Sequence, residues 1–209
     1  MWFRDEDEAP KVHEWKQESW EDRVKAFLQT EDTPARFNWP FPMGVFGTLR
    51  EGHGNNRLMH RASIAKYRLA FLPHFYASGL SVGHRKESTA PFEVFYYTPE
   101  EWTKMIRSVD CLESFSPGSA HGKTHYSYYY RTLVWLYLLP EGYVDRWFPQ
   151  GSSPDLWEDR NMEILPKNWA TYERVPAWVY SNMRSTLEVA KETNHPIIWP
   201  TGEKCQKEE

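Results

Sequence analysis

The chain has 209 residues, enough for one domain with a substantial core. Aromatic residues make up 16% of it, with 11 Trp, which excludes an unfolded or linker-like polymer. A formal net charge of −4 leaves no basic footprint for nucleic acid or an anionic membrane surface. The longest apolar run, Leu133–Leu139, is far short of membrane-spanning length. The acidic opening MWFRDEDEAP lacks the basic and apolar parts of a signal peptide, which favours the cytoplasm. Cys111 and Cys205 follow no paired spacing, and Cys111 reads as a reduced, partly buried thiol.

In chain order, His13–Leu28 reads as an amphipathic helix with Trp20, Val24, Phe27 and Leu28 on one side. Thr33–Pro42 holds three prolines and no period, and reads as a linker entering the core domain. Met43–Leu49 is a short apolar strand broken by Gly47, which runs into a tight loop rich in Gly and Asn. Ile64–Leu72 and Phe75–Val82 have strand composition on either side of Pro73, and Phe92–Tyr97 is a further strand. Ser116–His125 is a polar loop. Ser127–Leu139 is nearly all aromatic and aliphatic, as expected of a central strand covered on both faces. Pro140–Arg160 is turn and loop, and Pro176–Lys191 approaches a terminal helix.

The expected fold is α+β, a small mixed β-barrel or strongly curved sheet with a few flanking helices. The expected organisation is an N-terminal acidic segment, helix and linker at 1–40, a core domain at 41–175, and a C-terminal helix and polar tail at 176–209.

Thr98–Phe115 has both ends of a helix written into it. Thr98 is the N-cap, Pro99 takes the first helical position, and Glu101 completes a capping box. Trp102, Met105, Ile106, Val109 and Leu112 form an apolar stripe, with Asp110 at its margin. Glu113 falls four residues after Val109, inside that stripe. Helix geometry alone leaves two readings of Glu113 open: a head group that escapes to solvent at a fraying end, or a carboxylate kept there for chemistry.

Other constellations carry less. Gly52-x-Gly54 lacks the third glycine of a dinucleotide fingerprint, and no Gly-Lys-Ser/Thr follows it. A strand ending at a glycine still exposes successive backbone N–H groups that can hold a carboxylate or oxyanion. His121 and His125 have no third ligand nearby in sequence, so no metal is expected. No serine-nucleophile elbow occurs. The aromatic run Tyr126–Tyr130 lacks surrounding basic residues and reads as barrel core or pocket lining.

Three blocks then add up to a resemblance. Val45-Phe46-Gly47-Thr48-Leu49-Arg50-x-Gly52 resembles the opening motif of the gamma-glutamylcyclotransferase-like superfamily, usually Tyr-Gly-Ser/Thr-Leu. Glu93-Val94-Phe95, a capped helix and Asp110-x-x-Glu113-Ser114 resemble its second block, and Tyr129-x-Arg131-Thr132 its third. Order and spacing agree over about residues 43–139. Asn168-Trp169 resembles part of a Gly-Asp-Trp element found in some bacterial members. The nearest branch is the gamma-glutamylamine cyclotransferases.

The resemblance implies a barrel enzyme, without cofactor or metal, that cyclises a gamma-glutamyl compound to 5-oxoproline. It implies that Glu113 is the general base and acid. It also implies that Phe46, Gly47, Thr48, Leu49, Arg50 and Tyr129 bind the substrate, with the Gly47 loop lending backbone amides. A carboxylate on an apolar stripe has the raised pKa such a base needs. Three departures bear on substrate rather than fold: Phe46 in place of the usual Tyr, a longer loop between Glu113 and Tyr129, and Lys167-Asn168-Trp169 in place of Gly-Asp-Trp. Two alternatives stand beside the enzyme. One is a non-catalytic module that holds a small metabolite in the same pocket. The other is a partner-binding protein that uses its Trp-rich terminal helices, where a homo-oligomer would also form.

Overall fold

A computed structural model describes residues 19–31, 33–50, 53–61, 67–78, 81–116, 129–139, 168–181 and 196–199. Among these, six strands form one sheet: β1 (Met43–Val45), β2 (Tyr67–Ser78), β3 (Ser81–Phe95), β4 (Tyr130–Leu138), β5 (Arg174–Ser181) and β6 (Ile197–Trp199). Their order is β2-β3-β1-β5-β4-β6, and a further pairing of β2 with β4 closes the first five into a barrel. Strand β6 is an extra strand on the far side of β4. All pairings are antiparallel except β1 with β5, so the barrel is mixed. Among the described residues three α-helices accompany it: α1 (Trp20–Gln29), the single turn α2 (Thr33–Arg36) and α3 (Pro99–Leu112).

Alternation along the strands sorts the side chains. On β5, Val175, Ala177 and Val179 join Phe92, Val94, Val134 and Leu136 in the barrel interior. Trp178 and Tyr180, which alternate with them, point outward into a second cluster built with α1 and α3. Strand β4 is therefore covered on both sides, which is why its sequence shows almost no polar alternation.

Gly44 sits where β1 crosses the interior. A Cβ there would lie 2.5 Å from Leu136 Cδ1 and 3.0 Å from Val179 Cγ1. Leu136 can swing aside and the β-branched Val179 cannot. Gly44→Ala is therefore expected to destabilise the fold by about 1–2 kcal/mol in denaturant titration.

Several expectations are corrected. Residues 176–181, expected to open a helix, are instead paired strand, and the boundary drawn at 175/176 falls inside β5. Trp178, Val179 and Tyr180 there are strand formers, and Pro176 is tolerated between barrel neighbours that the pattern alone did not reveal. Tyr67–Leu72 and Phe75–Ser78 are one strand, β2, which continues through a register shift at His74, and Ser81 and Val82 already belong to β3. His74 takes a left-handed φ of 67°, the local cost of that bulge. The strand expected at Phe92–Tyr97 is the end of the fifteen-residue β3. β1 stops at Val45, short of Leu49.

The stretch read as a linker is part of the core. Phe37 and Phe41 are buried in the same cluster as Phe27 of α1 and Trp178 of β5. On α3, Leu112 is 40% exposed, whereas Asp110 is buried. The buried face is rotated toward Asp110 relative to the expected stripe, and Cys111 is exposed rather than partly buried. The expectations for 1–18, 117–128, 140–167 and 182–195 lie outside the described residues. No helix among the described residues is long and apolar enough to cross a membrane.

Candidate active site at the end of helix α3

Helix α3 begins as its sequence demands. Thr98 Oγ1 accepts from the Glu101 amide at 3.3 Å, and Glu101 Oε2 accepts from the Thr98 amide at 2.9 Å. Both halves of the capping box are present. Trp102, Met105, Ile106 and Val109 then bury one face against the barrel.

The other end decides where Glu113 goes. Glu113 is the C-cap, and Ser114 follows with φ 54°. The Phe115 amide donates to Asp110 O at 2.8 Å and the Ser114 amide to Cys111 O at 3.3 Å. This is the Schellman pair of bonds, made here with Ser in a position that usually belongs to Gly. It folds Phe115 back into the core, edge-on to Phe37 and Tyr180. Glu113 is left half-buried at the point where the chain reverses. It does not fray into solvent.

Its surroundings are acidic and poorly hydrated. Burial, and secondly the negative charge of Asp110, push the Glu113 carboxyl from 4.5 up to about 7. Tyr129, half-buried just ahead of β4, has its phenol raised by burial and then by the Glu113 charge. Glu113 and Tyr129 are thus brought together across α3 and β4.

The strand-end turn is built as a separate, rigid piece. After Val45 the chain enters a 3-10 turn, Gly47–Leu49, with Gly47 at φ 66°. The first three N–H groups of such a turn have no acceptor within it, so Gly47, Thr48 and Leu49 supply the donors this turn can offer. The turn is held from below. Asn55 Nδ2 donates to Thr48 Oγ1 at 2.9 Å, the Asn55 amide to Thr48 O at 3.2 Å, and Asn56 Nδ2 to Leu49 O at 2.8 Å. Gly47→Ala would place a Cβ on a left-handed residue. It is expected to lower stability by about 1 kcal/mol, read in denaturant titration.

The expected binding residues divide by what they can present. Phe46 is half-buried, with its ring edge-on to Phe92 at 5.8 Å. Leu49 is buried in the core, so it offers its backbone and not its side chain. Arg50 is 3% exposed. Its Nε donates to Gly47 O at 3.4 Å and its Nη2 lies 3.1 Å from His53 Nε2. Burial lowers the guanidinium to about 10 against the pull of buried Glu93. That geometry makes Arg50 a tie beneath the turn. The 3-10 helix Asn56–Arg61 packs against both the turn and α3. It is pinned to the barrel end by Tyr97, whose hydroxyl donates to Met59 O at 2.9 Å.

Three residues that sequence reasoning did not assign lie behind Glu113. Asp110, Arg131 and Tyr180 meet in the layer between α3 and the barrel. An Arg inside the apolar strand Tyr130–Leu138 was a signal for one of them. Tyr180 was hidden because its stretch had been read as helix.

Fold and site together define a small α+β barrel protein with a half-buried, raised-pKa carboxyl at a helix end. Comparison of the chain with protein-family models and with curated proteins returns no match.

Proposed function

We propose that the chain is a gamma-glutamylcyclotransferase-like enzyme. It converts a gamma-glutamyl amine or small gamma-glutamyl amide to 5-oxoproline and the free amine. The observation that carries this reading is the half-buried Glu113 carboxyl at the C-cap of α3, where burial and the neighbouring Asp110 raise its pKa toward the range in which it can both take and return a proton. The substrate's alpha-amine is an ammonium at neutral pH. Glu113 removes a proton from it, and the freed nitrogen attacks the gamma-carbonyl. The new N–C bond closes the five-membered ring, and the C–N bond to the departing amine breaks. Glu113 returns its proton to that nitrogen, and the second proton that the ring nitrogen sheds on forming the lactam ends on the released amine, which departs as an ammonium. The Gly47–Leu49 amides are suited to a substrate carboxylate or to the oxyanion of the tetrahedral intermediate. The Tyr129 phenol is kept in its protonated form by burial and then by the Glu113 charge.

The test is direct. Purified protein is incubated with a panel of gamma-glutamyl amines and dipeptides, and 5-oxoproline is measured for wild type and Glu113→Gln. Product from the wild type alone supports the reading, and a wild type that forms none from any member overturns it. One observation favours a second reading, a binding module without turnover: Phe46 presents a ring and no hydroxyl at the turn. A ligand that stabilises both proteins equally, with no product from either, would select it.

A further inference from the structure

We propose that Asp110, Tyr180 and Arg131 form a positioning network that keeps the negative charge on Asp110 and thereby directs the working proton to Glu113. The inference deepens the cyclotransferase reading and takes from it the identity of Glu113 as the proton carrier.

Arg131 is 2% exposed, inside a cage of rings. Its guanidinium carbon lies 5.1–5.7 Å from the ring centres of Trp178, Phe115, Phe37 and Trp102. Nη2 donates to Phe37 O at 2.6 Å, and Nη1 stands 3.4 Å from Asp110 Oδ2. Neither Nε nor Nη1 has a hydrogen-bond acceptor among the described residues. Apart from ring faces and one carbonyl, the described counter-charge to this cation is Asp110. The other carboxylate oxygen, Oδ1, accepts from the buried Tyr180 hydroxyl at 2.5 Å. Burial and the Asp110 charge hold that phenol in its protonated, donating form.

Both oxygens of Asp110 are therefore matched to a donor or a cation. A proton placed on either would displace the Tyr180 hydrogen or face the guanidinium. Burial leaves Asp110 raised above the ordinary carboxylate value, and Arg131 and then Tyr180 offset only part of that rise. Glu113, three residues on and so one turn along the same helix face, has no hydrogen-bond donor among the described residues. Of two coupled carboxyls, the one without donors takes the shared proton. The other titratable groups that feel the Glu113 charge are the Tyr129 and Tyr180 phenols. A buried ion pair is weak support for stability, so a caged one placed behind a proton-carrying residue calls for another role.

Asp110→Asn keeps the shape and can still accept from Tyr180, but it deletes the charge. Carboxyl carbon NMR of labelled protein follows Glu113 directly, whatever the turnover. The Glu113 midpoint is expected to fall from about 7 by about one pH unit in Asp110→Asn. The acid limb of the pH–rate profile should move with it. Tyr180→Phe removes the donor, so Asp110 competes for the proton, and the two carboxyls are expected to titrate over an overlapping range. Arg131→Lys keeps a cation and should leave the Glu113 midpoint close to wild type. If Asp110→Asn does not fold, Tyr180→Phe carries the test alone. A Glu113 midpoint that stays in place in whichever of Asp110→Asn and Tyr180→Phe folds overturns the network. If the midpoint moves while the wild type makes no 5-oxoproline, the network stands and the cyclotransferase reading falls. Product with an unmoved midpoint means the reverse.

Discussion

Glu113→Gln is expected to abolish 5-oxoproline formation and, at pH 8, to make the protein more stable than the wild type. The first half follows from losing the proton carrier, typically about 10²–10⁴-fold in rate. The second follows from linkage. The folded-state pKa of Glu113 is raised from 4.5 to about 7. The protonated form is thus the one the fold favours, and its contribution is fully present below pH 4.5. It is lost as pH rises from there through 7, because the folded state must then carry an ionised carboxyl beside Asp110. A shift of about 2.5 units corresponds to a ceiling of about 3 kcal/mol. Glu113 is only half-buried and solvent screens part of that, so about 1–2 kcal/mol is the expected gain at pH 8. Gln mimics the protonated form at every pH. Melting curves of the two proteins should coincide near pH 4.5 and separate by about 2–6 °C at pH 8. Wild-type turnover should rise through pH 7 as the basic form accumulates. A variant less stable than wild type at pH 8 would mean that the Glu113 charge anchors the fold, which removes the reason to call it a base.

That opposition between stability and chemistry explains what was legible in the sequence. Helix α3 was readable because Thr98, Pro99 and Glu101 act within a few residues of one another, and local hydrogen bonds need no tertiary context. Glu113 stood out because an acid in an apolar stripe contradicts its pattern, and such contradictions gather where a protein does something. The barrel class was legible from strands that lack polar alternation. Its closure was not, because the β2–β4 pairing joins residues far apart in sequence. The stretch from Pro176 was read as helix since Val, Trp and Tyr on alternating faces can be told from helix only by knowing that both faces are covered. Asp110 was placed at the margin and Leu112 inside. A rotation of the buried face by less than one residue position reverses the two, and only the Arg131 and Tyr180 partners decide it.

The second large effect is expected far from Glu113. Phe27→Ala should destabilise the whole domain by about 4 kcal/mol, read as a single cooperative transition shifted to lower denaturant. Helix α1 starts cleanly, with Ser19 Oγ accepting from the Asp22 amide at 3.1 Å, but a ten-residue helix is marginal in water by itself. Its order comes from Phe27, which is fully buried and meets Trp39, Phe41, Trp178 and Trp199 edge-on at 5.6–6.0 Å. Truncation removes those edge contacts, each worth about 0.5–1.5 kcal/mol and not simply additive, together with the buried area. The same segment is stitched to β5: Trp178 Nε1 donates to Trp39 O at 2.9 Å and the Trp178 amide to Pro42 O at 2.8 Å. If α1 were a detachable arm, Phe27→Ala would shift the midpoint by less than about 1 kcal/mol or produce a separate early transition. The expected result ties the N-terminal segment to the site as well. Phe37 forms one wall of the Arg131 cage and lends that guanidinium its backbone carbonyl. A fragment cut to residues 40–175 would lose Phe27, Phe37 and most of β5 together. It would lack both the core that holds α1 and the residues that fix Asp110 behind Glu113.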